Sequence, residues 1–167
     1  MVLGAFDQRW QHPGRITPDA GRCWIALDRV RDPGNLGTIM RTADATGARG
    51  IILIGDCTDP YSVEAVRASM GAVFNVELAQ MPEDDFLDLA AGWPGQIVGT
   101  ALPASRDYRK VDYAWPLILL MGNEQAGLTP ALMKACTQLV WMPMMWRSDS
   151  LNLAVSTSVT LYEALRQ

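Results

Sequence analysis

Near its C-terminal end the chain reads WMPMMWRSDSLNLAVSTSVTLYEALRQ, from Trp141 to Gln167. The segment begins with an apolar run that Pro143 interrupts. A polar stretch follows, and after it the apolar residues have a spacing typical of a helix. Four apolar residues recur at intervals of four and three, which places them on one helical face: Leu151, Val155, Val159 and Tyr162. This order predicts a strand, a polar loop and a closing helix, around which the rest of the chain is organised.

The closing helix is unusually rich in weak helix formers. These are Ser156, Thr157, Ser158 and Thr160. A helix with many small hydroxyl side chains usually packs closely against a neighbour, and backbone donors that lead into a helix suit a polar ligand. The polar residues 147–150 before it include good helix-starting residues. Two interpretations stay open: the segment only completes a core, or it also contributes to a binding site.

The length and composition predict one globular domain. The chain has 167 residues, of which 49% are hydrophobic and 19% charged. No run approaches the roughly 20 apolar residues of a membrane helix, and the start of the chain lacks a signal-peptide pattern, so no membrane association is expected. Cys23, Cys57 and Cys136 are far apart and odd in number, which argues against a disulfide framework and a cysteine zinc site. The expected compartment is the reducing cytoplasm.

Charge is distributed unevenly along the chain. The net charge of −4 argues against a simple basic nucleic-acid binder. Residues 1–50, however, hold seven Arg and five Asp, whereas residues 51–95 hold one Arg against eight acidic residues. An anionic partner is therefore expected to approach the first region. Five of its arginines could either meet phosphate or form a solvated surface: Arg9, Arg15, Arg22, Arg29 and Arg31.

Alternating strand and helix patterns predict an α/β fold, with a mostly parallel sheet and helices on both faces. The predicted strands cover 24–27, 51–55, 96–100, 117–121 and 139–142, with a strand or its approach at 73–78. The predicted helices cover 36–46, 62–70, 82–91, 130–136 and 152–165. Asn35 is predicted to cap the first helix and Gly47 to end it. Arg41 lies about 140° around this helix from Leu36, at about 100° per residue, so it should point away from the core.

Polar residues gather where strands of this sheet end. Parallel α/β sheets bind ligands beyond the carboxyl ends of their strands. Three loops are expected there, after Thr100, after Met121 and after Met142. They contain Gly122, Glu124, Ser150 and Asn152.

Several familiar sites have no counterpart in the sequence. It has no G-x-G-x-x-G segment and no Walker A segment, and its one histidine and scattered cysteines leave no metal cluster and no Ser-His or Cys-His pair. Catalysis would have to use Arg, Glu, Asn, Ser and backbone groups. This composition favours a reaction whose electrophile is activated by a cofactor.

Three segments resemble the motifs of one family. DPGNLGTIMRTADATGA (Asp32–Ala48), GNEQAGL (Gly122–Leu128) and MPM followed by SLN (Met142–Met144 and Ser150–Asn152) are similar to the motifs of SpoU, or TrmH-type, RNA ribose methyltransferases of the SPOUT superfamily. Any one of them could occur by chance, but all three come in the family's order and approximate spacing. The resemblance covers about residues 24–167.

The resemblance implies a fold, a cofactor and a substrate. The fold is an α/β sheet whose C-terminal segment forms a trefoil knot, and the chain would act as a homodimer packed through knot helices. The activity is methylation of a ribose 2′-hydroxyl in tRNA or rRNA, with S-adenosyl-L-methionine as donor, S-adenosyl-L-homocysteine as product and no metal. The matching cofactor-binding positions, largely acting through backbone groups, are Thr100, Gly122, Met142 and Leu151, with Ser150 beside them.

The resemblance also implies catalytic positions. Asn35, Glu124, Ser150 and Asn152 match polar positions that shape the catalytic pocket, and Arg41 matches the residue assigned to activation of the 2′-hydroxyl. A guanidinium stays protonated in water. Arg41 would therefore either lose its proton transiently when desolvated or stabilise developing oxyanion charge, and the electrostatic role is favoured.

Family members often carry an additional N-terminal RNA-binding domain. Here residues 1–22 are predicted to be an arm or the remnant of such a domain, and residues 23–167 the catalytic domain. Two other functions stay open: a non-catalytic RNA-binding or ribosome-associated module that keeps the fold, and a small-molecule methyltransferase, for which the basic arm would be superfluous.

Overall fold

The computed structural model describes residues 4–18, 23–102, 104, 106–145 and 150–167. Within these residues, seven strands form one sheet in the order β3-β2-β1-β6-β4-β7-β5, and every pair of neighbouring strands is parallel. The strands are β1 (Cys23–Asp28), β2 (Gly50–Ile54), β3 (Glu77–Met81), β4 (Gln96–Thr100), β5 (Arg106–Asp107), β6 (Leu117–Met121) and β7 (Gln138–Trp141). The predicted α/β fold with a mostly parallel sheet is confirmed.

Five α-helices connect or follow these strands in the described residues. They are α1 (Pro33–Thr46), α2 (Val63–Ser69), α3 (Glu83–Ala91), α4 (Pro130–Ala135) and α5 (Leu153–Arg166). Single turns of 3-10 helix occur at Pro13–Arg15, Ala72–Phe74 and Tyr108–Lys110. No helix in the described parts of the chain is long and apolar enough to cross a membrane.

The sheet has an apolar layer on each face. Alternate residues of β1 point to opposite sides, so that Ile25 and Leu27 join the cluster that contains α1 and α5, whereas Trp24 and Ala26 join the cluster that contains α3 and α4. Both layers are continuous across the central strands. This arrangement matches the prediction of helices on both faces and leaves the carboxyl edge of the sheet to the loops.

Helix α1 starts earlier than the sequence predicted. Asp32, and not Asn35, is the N-cap: its carboxylate accepts a hydrogen bond from the backbone N–H of Asn35 at 2.6 Å, and Pro33 occupies the first helical position. Asn35 therefore lies inside the first turn, and its side chain is available for other contacts. The end of the helix is as predicted, because Gly47 adopts a left-handed conformation with φ of 67°.

The region around Val73 differs from its predicted strand. Ala72–Phe74 forms a 3-10 turn, and strand β3 begins only at Glu77. A left-handed pair, Met70 and Gly71, turns the chain at the end of α2. The short strand β5 has no counterpart in the predictions, since two residues carry no periodicity.

Helix α5 buries a different face from the one its apolar spacing suggested. Leu151, just before the helix, and Val155, Val159 and Tyr162 within it share a side but are 41%, 47%, 37% and 56% exposed. The buried face consists of small and hydroxyl side chains with two leucines: Leu153, Ala154, Thr157, Thr160, Leu161 and Ala164. The prediction that the hydroxyl-rich helix packs closely is confirmed. The face of α5 that completes this chain's core is not the one that the apolar spacing marks.

Hydrogen bonds within and between helices explain how hydroxyl groups can be buried there. Thr157 and Thr160 donate to the carbonyls of Leu153 and Ser156, at 2.8 and 2.9 Å. Thr42 of α1 and Ser158 of α5 bond each other at 2.7 Å. Because each hydroxyl has a partner, its burial carries little of the cost of an unsatisfied polar group, and the small side chains bring α5 close to α1.

The N-terminal segment runs along the β3 side of the molecule. The backbone N–H of Gln11 donates to Leu78 at 2.7 Å. Phe6 packs edge-on against Phe74, and Trp10 packs against Tyr61 in the same way. Residues 4–18 therefore contact the domain, and the division of the chain at residue 22 stays a prediction.

Close packing of α1 on α2 depends on one glycine. A Cβ at Gly37 would lie 2.5 Å from both the carbonyl oxygen of Ala65 and the Cβ of Ala68. Because one of these atoms belongs to the backbone of α2, only a movement of the whole helix could make room.

We expect Gly37→Ala to destabilise the fold by about 1–3 kcal/mol through overpacking, although alanine is the better helix former. Urea unfolding followed by circular dichroism would measure the change. Gly92→Ala is the matched control, because its Cβ would meet no atom closer than 3.8 Å. A Gly37 variant as stable as the control would contradict this account of the contact.

Candidate active site

The loops after β4, β6 and β7 converge on one cavity of about 460 Å³ at the carboxyl edge of the sheet. Its lining comprises Asn35, Thr100, Ala101, Leu102, Met121, Gly122, Asn123, Glu124, Gln125, Gly127, Val140, Trp141, Met142, Met144, Ser150, Leu151, Asn152, Leu153 and Ser156. The three loops were predicted to meet, and they do. The cavity brings together every predicted site residue except Arg41.

A second cavity of about 440 Å³ adjoins the first and is lined by polar residues. Five residues border both cavities, namely Asn35, Asn123, Glu124, Gln125 and Asn152. Arg31 and Asp32 complete the second. The two cavities therefore differ in character: the first has apolar walls from Val140, Met142 and the segment around Leu151, whereas the second offers amides and charged groups.

Glu124 lies against the start of α1. Its carboxylate oxygens accept hydrogen bonds from the backbone N–H groups of Arg31 and Asp32 at 3.3 Å, and Oε1 also accepts from the side-chain amide of Asn35 at 3.4 Å. A helix N-terminus presents unpaired N–H groups and a positive dipole end, which favour a negative charge. These contacts hold the carboxylate between the two cavities.

Asn35 connects this carboxylate to the closing helix. The side-chain amide of Asn152 donates to the side-chain oxygen Oδ1 of Asn35 at 2.8 Å. Asn152 also caps α5, because its side-chain oxygen Oδ1 accepts hydrogen bonds from the backbone N–H groups of Ala154 and Val155 at 2.9 and 3.3 Å. These side-chain hydrogen bonds, from Asn152 to Asn35 and from Asn35 to Glu124, thus join all three of the segments that carried the family resemblance.

The loop 123–127 has a defined shape. Asn123 and Gly127 exchange backbone hydrogen bonds at 3.2 and 3.0 Å, and the side-chain carbonyl of Asn123 accepts from the N–H groups of Gln125 and Ala126. A Cβ at Gly122 would lie 2.5 Å from backbone atoms of Gly127 and Leu128, so only glycine fits there. The loop therefore presents Glu124 and Gln125 from a rigid base.

Sequence reasoning missed Asn123 and Gln125 as site residues. The signal for Asn123 was present, since Asn followed by glycine a few residues later is typical of a turn in which the side chain bonds the backbone. Gln125 and Met144 lie within two of the three family-like segments, in which other positions were singled out, and Trp141 falls in the predicted strand 139–142. Residues 146–149, which include Trp146, lie outside the described residues.

Arg41 is exposed on α1, as its helical position predicted, but it lines neither cavity. It precedes Thr42, whose hydroxyl bonds Ser158 of α5. Arg41 therefore lies on α1, which packs beside the α5 helix that carries the exposed apolar stripe. It does not border the cavities of its own chain.

Two of the five arginines for which contact with phosphate stayed open already have carboxylate partners. Arg29 binds Asp28 through two hydrogen bonds of 2.8 Å, which makes it unsuited to an RNA phosphate. Arg31 pairs with Asp56 at 2.7 Å, but both side chains are largely exposed, so this pair is weak and easily exchanged. Arg9 and Arg15 are exposed, and Arg22 lies outside the described residues.

The cysteines offer no reactive thiolate near neutral pH. Burial raises the pKa of Cys23 and of Cys136 to about 12, and that of Cys57 to about 11. In the parts of the chain that the structure describes, no group of three or more His, Cys, Asp or Glu side chains could hold a metal ion.

A parallel α/β sheet with a cavity beyond its strands' carboxyl ends defines a ligand-binding α/β domain. The chain belongs to the SpoU rRNA Methylase family, whose model matches residues 22–162. The resemblance seen in the motifs is confirmed.

Solved structures show the same fold. An AdoMet-bound rRNA methyltransferase from Sinorhizobium meliloti matches with a TM-score of 0.94 and 51% identity, over 96% of this chain and 62% of that one. The SpoU methyltransferase AviRb from Streptomyces viridochromogenes, in complex with the cofactor AdoMet, matches with a TM-score of 0.86 and 35% identity, over 95% of this chain and 65% of that one.

Among curated proteins, the 23S rRNA (uridine(2479)-2′-O)-methyltransferase of Streptomyces viridochromogenes is 39% identical over 149 residues, which are 86% of this chain and 52% of that protein. An uncharacterized tRNA/rRNA methyltransferase of Synechocystis is 36% identical over 163 residues, 97% of this chain and 58% of that protein. The chain thus spans between about half and three fifths of the length of these relatives.

We expect the two roles of Asn152 to be separable by substitution. Asn152→Ala removes both the cap of α5 and the bond to Asn35, and should cost about 1 kcal/mol of stability. Asn152→Asp keeps a capping oxygen, so its stability loss should be smaller although it can no longer donate to Asn35. Urea unfolding of both variants checks this, and equal losses would show that the cap contributes nothing.

Proposed function

We propose that residues 23–167 form the catalytic domain of an S-adenosylmethionine-dependent methyltransferase that acts on a ribose 2′-hydroxyl of ribosomal or transfer RNA. Residues 1–22 are its arm or the remnant of an upstream RNA-binding part, and the C-terminal knot and a cytoplasmic location belong to the same proposal. The observation that carries it is the pair of cavities, one largely apolar and one polar, that share Asn35, Glu124 and Asn152.

The first cavity suits the methyl donor. Val140, Met142 and Leu153 offer apolar walls for the purine of the cofactor, while Gly122, which has no side chain, leaves its backbone open to the cavity. Thr100, Ser150 and Leu151 add hydroxyl and backbone groups for the ribose and amino-acid parts. When bound, the cofactor supplies a methyl group on a sulfonium centre, an electrophile that needs no further activation by the protein.

The polar cavity suits the acceptor nucleotide. The protein's remaining tasks are to align the 2′-hydroxyl with the methyl group and to favour its oxyanion character. Asn35 and Asn152 are held by hydrogen bonds and can orient polar groups of the ribose, and Glu124 keeps Asn35 in place. Ser150 lies on the cofactor side and orients rather than transfers a proton.

Arg41 is proposed to act in a dimer, with the electrostatic role set out above. Val155, Val159, Tyr162 and Leu165 leave an exposed apolar stripe on α5, which a second copy of the chain would cover. Because α1 packs beside α5, such a dimer would place the Arg41 of each copy near the seam between the copies, and we propose that it faces the other copy's cavities there. The guanidinium would there stabilise negative charge on the attacking oxygen.

We expect Arg41→Lys to lower the rate of methyl transfer by about a hundredfold or more, because a point charge cannot reproduce a planar guanidinium that binds an oxyanion. Transfer of label from S-adenosylmethionine to total RNA, mapped by nuclease digestion, measures the rate. Calorimetric titration with S-adenosylhomocysteine should give unchanged affinity.

Unchanged turnover in this variant would remove Arg41 from the mechanism. Cofactor binding by the native chain without any methyl transfer would favour a non-catalytic RNA-binding module. Transfer to small molecules but not to RNA would instead support a small-molecule methyltransferase.

We expect Val159→Asp to convert the native dimer into a monomer, because it places a charge in the stripe that the second copy would cover. Analytical ultracentrifugation measures the state, and methyl transfer should fall with dimerisation. Val63→Asp on α2 is the matched control, since Val63 is 62% exposed and lies on another helix. A native chain that sediments as a monomer would contradict the proposed dimer.

A further inference from the structure

Arg29 has a backbone conformation that is rare for its residue type. It follows the last residue of β1 with φ of 48°, in the left-handed region. This conformation is unfavourable for a residue with a side chain, and it persists only where surrounding contacts hold it.

One set of contacts fixes the side chain of Arg29. Its Nε and Nη2 donate to the two carboxylate oxygens of Asp28, each at 2.8 Å. The Asp28 side chain is fully buried and that of Arg29 is 34% exposed. A buried carboxylate needs a charged partner, and this bidentate pair holds the guanidinium in one plane.

A second set of contacts joins Arg29 to both ends of the loop 123–127. Nη2 also donates to the carbonyl of Gly127 at 3.3 Å, while the carbonyl of Arg29 accepts from the side-chain amide of Asn123 at 2.8 Å. Asn123 and Gly127 are the two residues whose mutual backbone bonds close the loop. Arg29 itself lines neither cavity.

We propose that Arg29 is a positioning residue for methyl transfer, which braces the loop 123–127 so that Glu124 and Gln125 border both cavities. This inference rests on the proposed function. The left-handed turn directs the carbonyl of Arg29 at one end of the loop and its guanidinium at the other. Asp28 supplies the anchor, since without it the guanidinium would be free to turn towards solvent.

The test uses two variants that keep the chain folded by different means. Arg29→Lys retains a positive charge for Asp28 but cannot bind it bidentately and reach Gly127 as well. Asp28→Asn combined with Arg29→Asn leaves no buried charge, and asparagine tolerates the left-handed conformation.

The matched control is Arg49→Gln with Glu77→Gln. This pair has a 2.8 Å contact and an arginine that is 32% exposed, close to the value for Arg29, but it lies at the amino edge of the sheet. It removes an ion pair with a similarly exposed arginine but a carboxylate that is 29% exposed, from the far side of the molecule. Its cofactor affinity should equal that of the native chain.

We expect amide hydrogen exchange over residues 122–128 to be about tenfold faster in both Arg29 variants than in the control, which corresponds to loss of one charge-assisted hydrogen bond. Affinity for S-adenosylhomocysteine, measured by calorimetry, should fall about fivefold or more. The KM for S-adenosylmethionine should rise, whereas a residue that only stabilised the fold would lower the active fraction and leave this KM unchanged.

Exchange rates and affinities equal to those of the control would overturn the inference. So would a loosened loop with native cofactor affinity and turnover, because the brace would then have no effect on the site. Failure of the native chain to bind S-adenosylhomocysteine would contradict the proposed function instead, and the exchange comparison would still decide whether Arg29 holds the loop.

Discussion

The arrangement of the site depends on the two hydrogen bonds that the side chain of Asn35 makes. Its carbonyl oxygen accepts from Asn152 and its amide nitrogen donates to Glu124, so one planar group fixes the distance between the cap of α5 and the loop after β6. An amide suits this task because it offers a donor and an acceptor at once. A carboxylate or an ammonium there could satisfy only one of the two neighbours.

Much of the fold and the membership of the cavity could be predicted from the sequence, for reasons specific to this architecture. Parallel strands bring their carboxyl ends to one edge, so that finding strands before Thr100, Gly122 and Met142 already placed three loops together. The position of Arg41 on the outer side of α1 followed from helical geometry alone. The family motifs then indicated which residues of those loops carry chemistry.

The features that the sequence did not predict correctly also have physical causes. Asn35 is a good capping residue by its type, but Asp32 followed by Pro33 starts the helix one turn earlier. The buried face of α5 does not follow from its apolar spacing, because that spacing groups residues on one side of a helix without showing whether that side is buried. A sequence also does not show which threonine hydroxyls will donate to carbonyls of their own helix and so become suitable for burial. Arg29 looked like a surface charge, since nothing in its neighbourhood in the chain announced a left-handed turn.

The cavity draws its walls from segments that are far apart in the chain, from Asn35 to Ser156. It cannot exist in a fragment of the fold, and a ligand that fills it stabilises the complete domain by mass action. During synthesis, the first strands and α1 leave the ribosome long before α5 does. The nascent polypeptide therefore acquires its binding capacity only after α5 has been synthesised, which makes occupancy of the cavity a sensitive reporter of the finished folding of this domain.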